Sequence, residues 1–391
     1  MCIGQVGNLL PHVAVPATMP QHLMPEWGLS GSEAGAMASA FAFGYMLAVP
    51  LLTTLTDRVD ARYILLAGSA VSGLATLAFG LLAQGLWSAI PLWGLAGIGF
   101  AGAYMPGLKA LTDRLAPGES SRSITFYTAS YSFGVGLSFL VSQLVADRFG
   151  WRIAFLVTGL GPLLMVSVCL LLAPAPPPPT NRRLLDLGPV FRNRPALGYV
   201  LGYGAHCFEL YGIRTWIVAF WTFVAAQNGG AAILSPVAVS VLVTVLAMPA
   251  SIFGNEAAIR FGRHRAISAI QVTSALLLVL LGLSTALSPA LLLALVLVHA
   301  MTINGDSGAL TSGMSARANP AFRGATMALH SSVGFGTSAL GAWIVGVALD
   351  AAGGPLSPSA WSASFAVLTL GILTGPLFLW WSRQKSKFNP A

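Results

Sequence analysis

From Tyr63 to Leu108 the chain reads YILLAGSAVSGLATLAFGLLAQGLWSAIPLWGLAGIGFAGAYMPGL, 46 residues without one Asp, Glu, Lys or Arg. A transmembrane helix needs about 20 mostly apolar residues, so this run predicts two membrane helices with a turn near Gln84–Ser88. The whole chain agrees. Of its 391 residues 55% are hydrophobic and only 8% charged, against about 25% charged in an ordinary soluble domain. So few charges cannot clothe the surface of a soluble protein this long, which excludes a cytosolic enzyme and a disordered chain. The net charge of +8 is scattered, with no basic block, so no nucleic-acid partner is expected. Cys2, Cys169 and Cys207 form no C-x-x-C pair; neither a disulfide framework nor a metal site is indicated, and no cofactor is expected.

Working outward from Tyr63–Leu108, which supplies spans 3 and 4, the other uncharged runs give the remaining spans. Met1–Pro25 is span 1 and Ala34–Thr56 span 2. Ser123–Ala146 is span 5 and Ile153–Asn181 span 6. Ala196–Asn255 holds spans 7 and 8, split at Gln227–Gly230, and Ala266–Gly305 holds spans 9 and 10, split near Ser284–Pro289. Gly324–Leu349 is span 11 and Ala351–Ser382 span 12. Span 1 starts at the first Met and carries Pro11, Pro16 and Pro20; a start further upstream stays open.

The positive-inside rule orients the array. With the amino terminus inside, 17 Lys and Arg fall in cytoplasmic loops and tail, and only Arg148 and Arg152 outside. Both termini are then cytoplasmic, in a multi-pass protein of a bacterial inner (plasma) membrane. Trp27, Trp87, Trp151 and Trp361 fall near the outer interface and Trp380 and Trp381 near the inner one, the positions of an aromatic belt.

The chain also repeats itself weakly. Ser132–Gly136 (SFGVG) matches Ser332–Gly336 (SVGFG), Arg122 matches Arg323, Arg58 matches Arg260 and Asp147 matches Asp350, all at offsets of 200 to 203. Six spans per half is an even number, so the repeats run parallel about an axis along the membrane normal. The expected organisation is a six-helix bundle over residues 1–173, a Pro- and Arg-rich cytoplasmic linker over 174–195, a second bundle over 196–382 and a tail over 383–391.

This pattern resembles the major facilitator superfamily. The stretch Thr53-Thr-Leu55-Thr-Asp57-Arg58-Val-Asp60-Ala61-Arg62 is similar to the family's G-x-L-a-D-R-x-G-R-K loop at Leu55, Asp57, Arg58 and Arg62, and departs from it at Thr53, Asp60 and Ala61. The second-half copy, Asn255 to His264, keeps Arg260 and Arg263 but lacks the Asp. Phe149-Gly-Trp-Arg152 opening span 6 is another common family feature. The resemblance implies an all-α membrane fold of two six-helix bundles, transport by alternating access, and a latch on the cytoplasmic side made by Asp57, Arg58, Arg62, Arg260 and Arg263; a solvated loop without a gating role is the plainer alternative. Gly134 and Gly136, with Gly334, Gly336, Gly341 and Gly346, give spans 5 and 11 small faces that suit close or sliding contacts.

Polar residues inside the spans carry the rest of the reading. In span 7 Glu209 and Arg214 straddle the middle of the apolar segment, where a charge costs roughly 2.5–3.5 kcal/mol on insertion scales and is usually functional. His206 shares a helix face with Glu209, whereas Arg214, five residues on, is poorly placed to pair with it. Span 10 adds His299, Asn304 and Asp306, span 11 adds His330, and span 1 adds Gln5, Asn8 and His12. By the resemblance, spans 1, 4, 7 and 10 line the central cavity, which puts all of these but His330 on cavity-lining spans. A packing role remains the alternative for each. Glu33, three residues after Ser30, has the spacing of a capping box.

Absences narrow the class. Trp93 stands where many proton-coupled members carry an Arg, span 5 lacks the G-P-x-x-G-G of drug/proton antiporters, and spans 2 and 8 lack the arginines of nitrate porters. No nucleophile, metal or nucleotide constellation suggests an enzyme. The expected function is secondary active transport of a small polar or anionic organic solute by a monomer, with Arg214 as counter-charge and protons as the coupling ion. Glu209 is expected to carry the proton, and Asp306 to be protonated or to hydrogen-bond the substrate. Efflux of an amphipathic compound, or a non-transporting sensor of the same fold, are the alternatives.

Overall fold

The computed structural model describes residues 1–115, 120–177, 187–230, 233–285, 287–319 and 322–383, with only the backbone for 120–122, 124–125 and 128–129. The middle of the linker with Arg182 and Arg183, the tail with Lys385 and Lys387, and the Arg122 side chain lie outside the described residues. The described residues contain helices and no strand. Among them nine helices are long and apolar enough to cross a membrane. These are spans 2 (Gly31–Leu55), 3 (Ala61–Leu82), 4 (Leu86–Thr112), 6 (Trp151–Leu171), 8 (Pro236–Phe261), 9 (Arg263–Leu283), 10 (Pro289–Arg317), 11 (Arg323–Ala351) and 12 (Pro358–Arg383). Span 5 (Ser120–Phe149), span 7 (Arg194–Gln227) and a broken span 1 complete the twelve.

Each of the last three departs from an ideal span. Span 5 includes the residues with undescribed side chains, and span 7 contains Glu209 and Arg214. Span 1 is helical over Cys2–Leu9, Ala14–Thr18 and Met24–Trp27, with a π-helical turn at Met19–Leu23. Its prolines lack the amide that a continuous helix requires. The break at residues 10–13 is repaired by span 5: Ser138 Oγ donates to the Leu10 carbonyl at 2.6 Å and accepts from the Val13 amide at 3.2 Å. Broken backbone inside a membrane persists only where protein groups satisfy it in this way.

Spans 2 and 11 form one seam between the halves, and spans 5 and 8 the other. Span 2 begins with the expected capping box, Glu33 N donating to Ser30 Oγ at 3.3 Å and Ser30 N to Glu33 Oε2 at 2.9 Å. Its next two amides, Gly31 N and Ser32 N, both donate at 2.7 Å to the carboxylate of Asp350 at the far end of span 11. An anion at a helix N-terminus gains from the macrodipole as well as the hydrogen bonds. The seam continues through Ser39 Oγ, which donates to the Ala339 carbonyl at 2.6 Å, to Tyr45 stacked on Phe335 with ring centroids 3.7 Å apart. Gly31 and Gly346 meet backbone to backbone. In the other seam Gln143 Nε2 donates to Ser240 Oγ at 3.2 Å.

The aromatic belt needs correction. Trp87 is 85% exposed and Trp380 62%, as lipid-facing residues should be, but Trp151 and Trp361 are buried. Trp151 packs on Trp27, Phe79 and Phe155, and Trp361 on Phe220 and Phe365. At these two positions packing against neighbouring helices takes the ring that an interface would otherwise hold.

Candidate transport site

The gating residues are arranged differently from the expectation. Asp57 is exposed, and its carboxylate makes no hydrogen bond or ion pair with a described residue. Asp60, one of the departures from the loop motif, is buried and forms the hub. Arg114 Nη2 donates to both its oxygens at 2.8 and 3.0 Å, the Ala175 amide donates at 2.7 Å and the Arg62 amide at 3.0 Å, with Arg62 Nε 3.4 Å away. Arg62 and Arg114 also hold the Leu172 and Ala173 carbonyls. The cluster therefore ties the ends of spans 3 and 4 to the chain leaving span 6. Arg58 and Arg260 are exposed, Arg260 lying over the Phe261 ring, and Arg263 is half-buried.

Burial alone would raise the Asp60 carboxyl. The Ala175 amide, the Arg114 guanidinium and the Arg62 amide outweigh burial and hold it below its ordinary 3.8. A group depressed in this way stabilises the fold above its unfolded pKa, and that contribution is lost as pH falls through the folded value. Asp60→Ala is expected to cost on the order of 3 kcal/mol, since it strands two arginines, and to remove part of the acid sensitivity of thermal unfolding. Asp57→Asn should barely move the melting temperature. Equal losses from the two variants would contradict this arrangement.

The intramembrane polar residues fall into two groups. The first lies between the halves. His12 sits in the span 1 break, with its Nε2 3.1 Å from Tyr131 Oη and 3.5 Å from Tyr211 Oη. The two tyrosine hydroxyls are 3.1 Å apart. Arg214 projects over the Tyr211 ring at 5.0 Å. His12, Phe41, Trp93, Tyr211, Arg214 and Ser338 border a common space that also touches spans 2 and 11. Among the described residues no carboxylate lies within 4.0 Å of Arg214. Asn8, one turn before His12 on span 1, is buried, and neither amide atom has a partner among the described residues.

The second group lies inside the second half. Glu209 is fully buried; its Oε1 accepts from Ser274 Oγ at 2.6 Å and lies 2.8 Å from His299 Nε2. His206 Nδ1 is 2.7 Å from Asp306 Oδ1, and Gln271 Nε2 donates to Asp306 Oδ2 at 2.7 Å. Asp306 stands where span 10 breaks between Pro289–Gly305 and Ser307–Arg317. Each carboxyl thus belongs to an acid–histidine pair joining spans 7 and 10, with span 9 supplying a further donor. Glu209 pairs with His299 rather than with its face-mate His206, and Asp306 is engaged by His206 and Gln271 instead of standing alone. Neither carboxyl borders the space under Arg214. His330 stacks on Tyr203 with ring centroids 3.9 Å apart, and Asn304 Nδ2 caps the Ala300 carbonyl within its own helix; both lie away from Arg214.

Sequence reasoning missed Gln271 and Ser274, although two polar residues three apart on an apolar helix share one face and were open to the same argument as His206 and Glu209. It also missed Asp60 and the Tyr131 hydroxyl, whose partners come from distant segments.

Comparison with known proteins places the chain. The sequence model of the Major Facilitator Superfamily matches residues 1–251. Protein spinster homolog 1 of Homo sapiens is 25% identical over 235 residues, covering 56% of this chain and 44% of that protein. The D-galactonate transporter of Escherichia coli O6:H1 is 32% identical over 145 residues, 37% of this chain and 33% of that one. The alignments thus span less than half the length of these relatives. Among solved structures, a bacterial homolog of the human lysosomal transporter Spinster, in an inward-facing and unoccupied conformation, superposes with a TM-score of 0.73 at 17% identity, covering 97% of this chain and 93% of that one. The nucleoside transporter NupG superposes with a TM-score of 0.74 at 11% identity, covering 98% and 99%. By its sequence match and its twelve-span all-α architecture, the chain belongs to the major facilitator superfamily of membrane transporters and is not an enzyme.

Proposed function

We propose that the protein carries a small anionic organic solute across a bacterial inner membrane by alternating access, driven by protons, as a monomer whose Asp60 end and both termini face the cytoplasm. The observation that carries this reading is Arg214, a cation in the middle of span 7 that borders the space between the halves and has no carboxylate beside it among the described residues. A charge at that depth is expensive unless compensated, and the two nearby acids are already engaged with histidines. An anionic substrate supplies the missing partner. The acid–histidine pairs support proton coupling, since both members of each pair can bind a proton, and a relative named for D-galactonate is in keeping with an organic anion.

The test is uptake of radiolabelled organic anions into proteoliposomes under an imposed pH gradient. Arg214→Gln should abolish accumulation while the protein still purifies as a monodisperse species. Accumulation unaffected by Arg214→Gln would remove the anion from the reading. Efflux of an amphipathic compound has one observation in its favour, an apolar space within the second half, bordered by Trp216, Phe220, Trp361 and Phe365 and reaching His299. Stronger competition by a long-chain cation than by any anion would favour that alternative.

A further inference from the structure

We infer that Trp93 is a substrate-binding residue and that the site takes a hydroxy-monocarboxylate, the carboxylate on Arg214 and a hydroxyl oxygen on the Trp93 indole. This rests on the reading of Arg214 as the partner of an anion and extends it to the other wall of the same space.

Trp93 lies on span 4, across from Arg214, and borders the same space. It is 1% exposed, and its ring is held edge-on or tilted against Phe41, Phe79 and Phe155, with centroids 5.1 to 5.7 Å away. Packing on three sides fixes the indole. Its Nε1 is buried and has no acceptor among the described residues. An indole N–H is a donor only, and buried tryptophans usually find a partner for it. The protein's other deeply buried tryptophans do so: Trp216, Trp221 and Trp361 donate to backbone carbonyls at 2.7 to 2.8 Å. Trp93 stands out as the one of these four that borders the Arg214 space and lacks an acceptor. A second polar atom on that border, His12 Nδ1, is likewise buried and unpartnered among the described residues.

Charge sets the rest of the class. Arg214 is the single permanent charge among the described residues bordering the space. One guanidinium neutralises one carboxylate; a phosphate dianion would bring a second negative charge with no cation to meet it. The remaining border is aromatic or small, with Phe41, Tyr211 and Ala342, surfaces that accept the C–H face of a short hydroxylated chain. A ligand with one carboxylate and at least one hydroxyl satisfies Arg214, the Trp93 N–H and His12 together.

The experiment is isothermal titration of the purified full chain with lactate, glycerate, D-galactonate, hexanoate and glucose 6-phosphate. At least one of the three hydroxy acids should bind more tightly than hexanoate and glucose 6-phosphate. Trp93→Phe keeps a packed ring and loses only the donor. It should weaken the hydroxy acid by about tenfold, the scale of one unmade hydrogen bond in a buried site, and leave hexanoate within experimental error. Arg214→Gln should remove binding of both. Hydroxy-acid binding unchanged by Trp93→Phe, or glucose 6-phosphate binding tighter than every hydroxy acid, overturns this inference while leaving the anion reading intact wherever Arg214→Gln still abolishes binding. Binding that survives Arg214→Gln overturns the anion reading itself. A Trp93→Phe protein with altered thermal unfolding is checked through hexanoate, whose retained affinity reports an intact site.

Discussion

Glu209→Gln is expected to stop uphill accumulation completely and to leave exchange of substrate for substrate running. The reason lies in what glutamine keeps and what it loses. Its amide oxygen can still accept from Ser274 Oγ, now 2.6 Å from Oε1, and can face His299 Nε2, now 2.8 Å away. Shape and packing survive, so the protein should insert and fold. The amide has no acidic proton to give up, so on the proposed proton-coupled mechanism the pair with His299 could no longer carry one. Under the proposed proton coupling, net transport would need proton release in every cycle, whereas exchange would return the carrier loaded and need none. Asp306→Asn should differ in degree. Asp306 is held by His206 and Gln271 away from the Arg214 space, so it should shift the pH dependence of uptake more than the apparent substrate affinity. Counterflow and pH-jump uptake in the same proteoliposomes separate these outcomes. A Glu209→Gln protein that accumulates substrate with the wild-type pH profile would make Glu209 a packing residue.

The second large effect belongs to Gly346. A Cβ placed there falls well inside contact distance of the Gly31 carbonyl oxygen, which is backbone and cannot rotate away. Gly31 and Gly346 lie in different halves, so separating the halves at the Asp350 end relieves the larger overlap and leaves a 3.0 Å approach to Trp216 Cζ2 within the same half. Gly346→Val should therefore fold and be unable to close there, and transport should fail in both directions. Moving a conformational ratio from 99:1 to 1:99 takes about 5.5 kcal/mol, within reach of a backbone overlap that also breaks the Asp350 cap. The readout is Ser39→Cys, buried in the same seam beside the Ala339 carbonyl. A membrane-impermeant maleimide added at the Asp350 side should label it in the Gly346→Val background and not in its absence. Protection of that cysteine together with wild-type transport would refute the argument. Gly97→Val is the contrasting control: its Cβ would strike the Phe41 carbonyl within one half, where no opening relieves it, and the folded protein should be lost.

The sequence and the structure agree where hydrocarbon does the selecting. A membrane of fixed thickness demands uncharged runs of fixed length, so the spans from Gly31–Leu55 to Pro358–Arg383 could be read off directly. The polar residues were also legible as a set, because each is conspicuous against apolar neighbours. Their partners were not. Glu209 and His299 are 90 residues apart and Asp60 and Arg114 are 54 apart; helical periodicity says which residues share a face, not what the adjoining helix presents to it. For the same reason attention fell on Asp57, which fits the family's loop pattern, rather than on Asp60, which departs from it. Trp151 and Trp361 failed for a related cause, since a preference for the interface yields to a pocket between helices.

The Asp350 cap has a counterpart that is missing. By the internal repeat Asp147 corresponds to Asp350, and span 8 takes the place of span 2. Span 8 opens with Pro236, which has no amide hydrogen, and its Ala238 amide is already taken by Ser235 Oγ. Asp147 instead faces His22, 3.1 Å away. One seam is thus buttoned to a helix end by a carboxylate and its twin is not. The carrier should part unevenly when that end opens, peeling first along spans 5 and 8 while spans 2 and 11 act as the temporary hinge. The first gap should then form on the flank of spans 5 and 8, ahead of the flank of spans 2 and 11.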